Sequence, residues 1–205
     1  IENLSGPKIE RPRWAAPHLL KAAGKTLRIM AGPNGSIQGP CESKWGYTTQ
    51  TVADWNHDGL PDIVVNSILG KVVWYRNIGT RKAPKLAAAK SINVEWRGQQ
   101  PALKWGWMRP EGNALLTQWR TTPVVVDWNR DGLNDLLMLN HEGYLTLFPR
   151  SKRGGKLLLH EPQRIFETHN PFGYVRLNTK TAGGSGRRKL CVTDWDGDGR
   201  LDVLA

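Results

Sequence analysis

The chain has 205 residues and a formal net charge of +11, with 39% hydrophobic and 23% charged residues. This length can bury one sizeable core, and no window approaches the ~18 apolar residues of a membrane-spanning helix. The 22 glycines and 13 prolines favour many short strands over long helices. Two cysteines are too few for a disulfide framework, so we expect Cys41 and Cys191 to be unpaired, with a bridge between them as the alternative.

The acidic residues are distributed unevenly. All ten aspartates lie in three short segments, and outside them eight glutamates oppose 27 of the 29 lysines and arginines, a balance of +19. The aspartates are therefore reserved for one task, and the remaining surface should attract polyanions. The bases are scattered and follow no known nucleic-acid-binding motif, which argues against DNA or RNA as the partner.

Residues 1–42 are interpreted as the end of a preceding structural repeat or as an extension. The segment "APHLLKAAGK", from Ala16 to Lys25, is the one candidate helix, with Gly24 near its end. No other part of the chain has a helical pattern of this kind.

Three segments share the pattern D-W-[ND]-x-D-G-x-x-D followed by an apolar run: "VADWNHDGLPDIVV", "VVDWNRDGLNDLLML" and "VTDWDGDGRLDVLA". The loops begin at Asp54, Asp127 and Asp194, and such regular self-similarity indicates a repeat architecture. The approximate repeats are 43–115, 116–185 and 186–205.

Short apolar or β-prone runs flank each loop and read as strands. A third strand follows in "KVVWYRN" and "YLTLFPR", and a fourth in "SINVEW" and "QRIFET". Four antiparallel strands per repeat match one blade of a β-propeller. We therefore predict an all-β chain of about three consecutive blades, a single partial propeller over residues 1–205, because a closed ring usually needs 4–8 blades.

Each loop offers the short oxygen ligands that Ca²⁺ prefers, at positions 1, 3, 5 and 9, with glycine at position 6 for a sharp turn. These ligands are Asp54, Asn56, Asp58 and Asp62, then Asp127, Asn129, Asp131 and Asp135, then Asp194, Asp196, Asp198 and Asp202. Position 7 offers a backbone carbonyl, from Leu60, Leu133 and Arg200. We therefore predict up to three calcium ions.

Metal-free turns and EF-hands share parts of this pattern. Asn, Asp and Gly favour turns without any metal, but turns do not require several mutually repelling carboxylates. An EF-hand shares the opening of the pattern but closes with Glu at position 12, where this chain has Val65, Met138 and Ala205. Mg²⁺ is disfavoured because it prefers fewer protein ligands in a rigid octahedral arrangement.

With these loops in view, the sequence resembles the FG-GAP/VCBS repeat proteins, a family of calcium-loop β-propellers that includes the integrin α-subunit head. The first repeat matches best, with Trp45-Gly46-Tyr47 ahead of the loop. Trp119-Arg120 stands at the corresponding place in the second repeat, and Phe172-Gly173 lies too far upstream in the third. The resemblance implies a propeller, calcium ions and an exported protein, so we expect an extracellular, periplasmic or cell-surface location.

Some of the ten tryptophans are predicted to pack in the structure, and others are predicted to bind a ligand. Trp55, Trp128 and Trp195 recur at loop position 2 and should pack between blades, while Trp45, Trp74 and Trp96 fit core positions of strands. A candidate ligand site lies in the long segment between the first two repeats, where aromatic rings could stack on sugars and guanidinium groups could pair with carboxylates. Its members are Trp105, Trp107, Arg109, Trp119 and Arg120.

The favoured function is a binding or adhesion module for an acidic carbohydrate or a cell-surface protein. The alternative is a polysaccharide lyase acting on a uronate-containing polymer, which needs a group to neutralise the carboxylate and a base to remove the neighbouring proton. Arg120 or a calcium ion could do the first, and Tyr47 or His141 the second. The basic clusters "RSKRGGK" and "GRRK" are interpreted as solvated loops.

Overall fold

The computed structural model describes residues 1, 3–5, 11–36, 38–103, 109–167, 173–178 and 188–205. Within these ranges the chain is all-β, built from several antiparallel sheets with no α-helix, and none of the sheets closes into a barrel. The described residues contain no helix that is long and apolar enough to cross a membrane. Cys41 and Cys191 are both exposed and free, so the prediction of unpaired thiols is confirmed.

The N-terminal segment forms a hairpin of strands β1 (Lys21–Ala22) and β2 (Lys25–Thr26), followed by a short 3-10 helix at Pro40–Glu42. The predicted helix at residues 16–25 is therefore wrong. Its turn residues, Ala23 and Gly24, both adopt positive φ, which ends any helix. The hairpin forms instead because its backbone bonds to Leu86 beside the first sheet.

The first large sheet contains four strands in chain order. They are β3 (Thr49–Ala53), β4 (Asp62–Asn66), β5 (Val73–Tyr75) and β6 (Lys90–Ser91). The fourth strand that the sequence predicts near Ser91 is thus present, although it is short.

The second sheet repeats this arrangement with one insertion. Its strands are β7 (Val124–Val126), β8 (Asp135–Leu139), β9 (Leu145–Phe148) and β12 (Gln163–Arg164), in the order β12-β9-β8-β7. A separate hairpin lies between the third and fourth strands, made of β10 (Arg150–Arg153) and β11 (Lys156–Leu159). The interpretation of "RSKRGGK" as a solvated loop is therefore wrong, because Gly154 and Gly155 turn the chain and the flanking residues pair.

A third hairpin, β13 (Cys191–Thr193) and β14 (Asp202–Leu204), corresponds to the first two strands of the other sheets. The first strands of the three units lie side by side, since β7 contacts both β3 and β13. Successive units are therefore neighbours in space as well as in sequence.

The second sheet is buried on both faces. From β8, Leu136 and Met138 join a core cluster shared with the first sheet, while Leu137 and Leu139 join a cluster shared with the third hairpin. This alternation follows from the two-residue period of a strand and explains why "DLLML" is apolar without interruption. Burying apolar area between neighbouring sheets is the main stabilising contribution of the fold.

Candidate metal centres

The three aspartate loops connect equivalent strands with the same register. In each hairpin, the residue before loop position 1 pairs with position 9: Ala53 with Asp62, Val126 with Asp135 and Thr193 with Asp202. Position 9 is also the first residue of the second strand in all three. The sheet therefore holds both ends of each loop at a fixed separation.

The same hydrogen bonds recur inside each loop. The carboxylate at position 1 accepts from the backbone N–H at position 6, with distances of 2.7, 2.9 and 3.0 Å in loops one to three. The carboxylate at position 5 accepts from the N–H at position 7, at 3.0, 2.8 and 2.8 Å. Each loop thus wraps around its own acidic side chains, and glycine at position 6 permits the positive φ that this path requires.

The position-9 aspartates Asp62 and Asp135 are completely buried. One carboxylate oxygen of each accepts a hydrogen bond from the backbone N–H of the position-2 tryptophan. The other accepts at 2.7 Å from a backbone N–H, that of Asn77 for Asp62 and that of Arg150 for Asp135. Burial raises the pKa of both carboxyl groups, and the nearby loop aspartates add to that effect. A bound cation would compensate these buried negative charges.

In the third loop, carboxylate oxygens of Asp194, Asp196 and Asp202 all lie within 4.8 Å of one another. Calcium binds oxygen at ~2.3–2.6 Å, so two ligands of one ion can stand at most about 5 Å apart. This donor set fits calcium in both chemistry and spacing. Among the acidic, His and Cys side chains that the structure describes, no other group is gathered so closely.

The first two loops have asparagine at position 3, where the third has Asp196. The amides of Asn56 and Asn129 donate to the position-5 carboxylate at 2.8 and 2.9 Å. In the first loop that bond, with the guanidinium of Arg76 at 2.9 Å, lowers the pKa of Asp58. A cation in this loop has to compete with Arg76 for Asp58, and in the third loop Arg200 makes a longer contact of 3.7 Å with Asp198.

Neighbouring loops are connected through position 4, the first variable position of the pattern. The His57 Nε2 atom accepts from the Asn134 backbone N–H at 3.0 Å, and Asn134 in turn donates its side-chain N–H to the Asp54 carbonyl at 2.8 Å. The Arg130 guanidinium donates a hydrogen bond to the Gly199 backbone carbonyl and so connects the second loop to the third. The three loops therefore form a continuous row, a feature that no residue pattern within one repeat could indicate.

The predicted ligand site is only partly brought together. Trp119 and Arg120 are buried, and the Arg120 guanidinium lies 3.8 Å from the Trp119 ring centroid and 3.3 Å from that of Tyr47. Arg109 is exposed. Trp105 and Trp107 lie outside the described residues.

The tryptophans predicted to be structural differ from one another. Trp55 lies in the core between the first two sheets and Trp128 packs on the next cluster, but Trp195 is 72% exposed. Trp74 and Trp96 pack against the first core as expected, whereas Trp45 is exposed. Trp55 and Trp128 are each covered by a following unit, and the described residues place no such unit over Trp195.

No family model, curated protein or solved structure matches the chain.

The first prediction concerns the loop backbone. Gly132 has φ of 87° and nothing within 4 Å of an added Cβ, so Gly132→Ala introduces strain without a clash. We expect it to lower the free energy of unfolding by about 1–2 kcal/mol in urea titrations with chelator present. The matched control is Gly98→Ala, at a site equally open but without positive φ, which should be neutral or slightly stabilising. Equal effects of the two substitutions would contradict the argument.

The second prediction concerns pH. Because the pKa values of Asp62 and Asp135 are raised above the ordinary 3.8, the cation-free folded state binds protons more readily than the unfolded chain. Their contribution to stability therefore falls as pH rises from about 3.8 through the raised folded values. A cation favours the ionised form, so the increase in melting temperature on adding calcium should grow across that window and then level off. Calorimetry over a pH series tests this, and a pH-independent increase would contradict it.

Proposed function

We propose that the chain is a set of calcium-binding blades from a β-propeller of the FG-GAP/VCBS type, working outside the cytoplasm. The observation that supports this most directly is the identical register of the three loops between the first two strands of successive units. Independent turns would have no reason to share this register, internal hydrogen bonding and choice of aspartate.

The propeller geometry is supported by the arrangement of the units. Their first strands lie side by side, and the second sheet is packed between its neighbours on both faces. In a propeller, successive blades stack face to face around an axis in this way.

Calcium would supply positive charge at the point where each loop joins its second strand. Position 9 would contribute its carboxylate from within the protein, while positions 1, 3 and 5 would close the loop over the ion from the solvent side. Because an unfolded chain does not hold the loop ligands in this arrangement, such binding would stabilise the folded state by mass action. Millimolar calcium outside cells suits loops of this exposure, which is the reason for proposing an exported protein.

The third prediction tests the metal directly. The third loop has one more carboxylate than the others, so we expect it to bind calcium most tightly in isothermal titration calorimetry. Asp196→Asn gives it the ligand set of the first two loops and should weaken that site about tenfold, since ligand charge tunes calcium affinity.

The matched control is Glu111→Gln, which removes an exposed acidic group that pairs with Lys71 outside the loops. This variant should leave all calcium heats unchanged. If calcium produces neither heat nor an increase in melting temperature in the unaltered protein, the loops are metal-free Asx-turns.

We further propose that the module binds acidic carbohydrate or an acidic surface partner. The support is the +19 charge balance outside the loops, together with aromatic and arginine side chains in the segment before the second sheet. Trp105, Trp107, Arg109, Trp119 and Arg120 remain the predicted ligand residues.

A polysaccharide lyase is the second candidate. One contact favours it, because the structure brings Arg120 against Tyr47, the pair considered as carboxylate neutraliser and base. The guanidinium covers the face of the ring, however, so the pair is packed as a cation–π contact, which by itself is a stabilising arrangement.

The fourth prediction separates these classes. On a glycan array at physiological salt with calcium present, we expect retention of acidic glycans and not of neutral ones. Incubation with a uronate polymer should produce no ultraviolet absorbance from unsaturated uronate, and its appearance would establish the lyase instead. Equal and purely salt-sensitive binding to DNA and to every anionic glycan would mean that the charge acts nonspecifically.

A further inference from the structure

A cavity of about 230 Å³ lies between the first sheet and the inserted hairpin β10–β11. Its lining includes Trp55, Asn56, Trp74, Arg150 and Leu157. Pockets for drug-sized ligands occupy ~300–1,000 Å³, so this cavity suits one small ring with its substituents. It contains two aromatic rings and one cation, a combination that the linear sequence does not reveal.

A second cavity, of about 430 Å³, is also lined by Leu157 of the hairpin. It is bordered by His57 and Gly132 from the first two loops and by Lys152 from β10. Asn56 and Leu157 line both cavities, so the two cavities are adjacent, and we treat them together as one groove. We call it the hairpin groove, and it runs beside the first two metal loops.

Arg150 is the buried cation of the hairpin groove, with 5% of its surface exposed. Its guanidinium stacks on Trp55 at 3.4 Å from the ring centroid and donates to the Trp55 carbonyl. Burial lowers its pKa to about 10, so it stays charged at neutral pH. No ion pair within the described part of the chain involves Arg150. The Asp135 carboxylate acts on this guanidinium electrostatically but makes no ion-pair contact with it, so the guanidinium can still bind an incoming anion.

Lys152 adds a second cation to the same side of the groove. In a strand, the side chains of residues i and i+2 point to the same face. Arg150 and Lys152 therefore share one face, with Cα atoms about 6.6 Å apart, and Ser151 and Arg153 belong to the other face. Lys152 is exposed and lines the second cavity. Each cavity thus has one positive charge, and the two charges are separated along the groove.

The rest of the lining is neutral and suits a sugar. The partly exposed ring of Trp74 can stack on the apolar face of a pyranose, as aromatic side chains do with flat ligands. Ser91 and Asn93 are exposed at the opening of the first cavity and can bond to hydroxyl groups. A nucleic-acid strand would need more cations along its closely spaced phosphates.

We propose that the hairpin groove binds an acidic oligosaccharide, with successive uronate carboxylates on Arg150 and Lys152 and one sugar ring on Trp74. This inference rests on the proposed binding of acidic carbohydrate, but it assigns that binding to residues outside the predicted ligand set. The groove also borders Asn56, a predicted ligand of the first calcium ion, so ligand and metal sites are neighbours.

The test is calorimetric titration with a tetragalacturonate at physiological salt and constant calcium, with a neutral tetrasaccharide as the reference ligand. Lys152→Ala should weaken tetragalacturonate binding about tenfold, the value of one charge-assisted hydrogen bond. Arg153→Ala removes one positive charge from the same strand on its other face, and it should change the affinity by less than about twofold.

Arg150→Lys retains the charge but loses the planar fork, and it should also weaken binding, with its melting temperature measured to confirm folding. Asn93→Ala, at the exposed opening, tests the bond to a sugar hydroxyl group in a variant with no risk to the core. If Lys152→Ala and Arg153→Ala weaken binding equally, or neither does, the hairpin groove is overturned while the proposed carbohydrate binding stands. If the unaltered protein binds no acidic glycan, both fail. Lys152-dependent binding of single-stranded DNA with no tetragalacturonate binding would replace the carbohydrate by a nucleic acid.

Discussion

The buried carboxylate at loop position 9 is the constraint on which the rest of the structure depends. Asp62 and Asp135 each accept a hydrogen bond from the start of their own loop and another from the chain just beyond the third strand. This one side chain on the second strand is therefore bonded both to its own loop and to the segment that follows the third strand. Its negative charge lies where no water can solvate it, so the surrounding loop must provide either backbone N–H groups or a cation.

The first two sheets are held in this way, and neighbouring loops reach each other through His57 and Arg130. The hairpin groove opens beside this row, and Asn56 belongs to both. Arg150 connects the two regions most directly, since its backbone N–H bonds to Asp135 while its guanidinium stacks on Trp55. Metal binding in the second loop and anion binding in the groove would therefore act on the same residue.

Several elements could be predicted because their signals are short in sequence. The strands around each loop, the fourth strand near Ser91 and the unpaired cysteines follow from apolar runs, turn residues and a count. The helix at residues 16–25 was wrong because strand pairing within β1–β2 and bonding to Leu86 outweighed a weak local preference. The hairpin β10–β11 was missed because a basic segment with two glycines resembles a loop when its partners across the strand are unknown.

The candidate metal sites are local in origin. Nine consecutive residues supply the ligands and the glycine turn, so the amino-acid order is sufficient to indicate them and their chemistry. The hairpin groove has the opposite character, since Trp55 and Arg150 stand 95 positions apart and meet only when two sheets pack face to face. Nothing in either segment marks the contact. Distant side chains form a site through packing, and only the tertiary structure decides which of the many tryptophans and arginines come together.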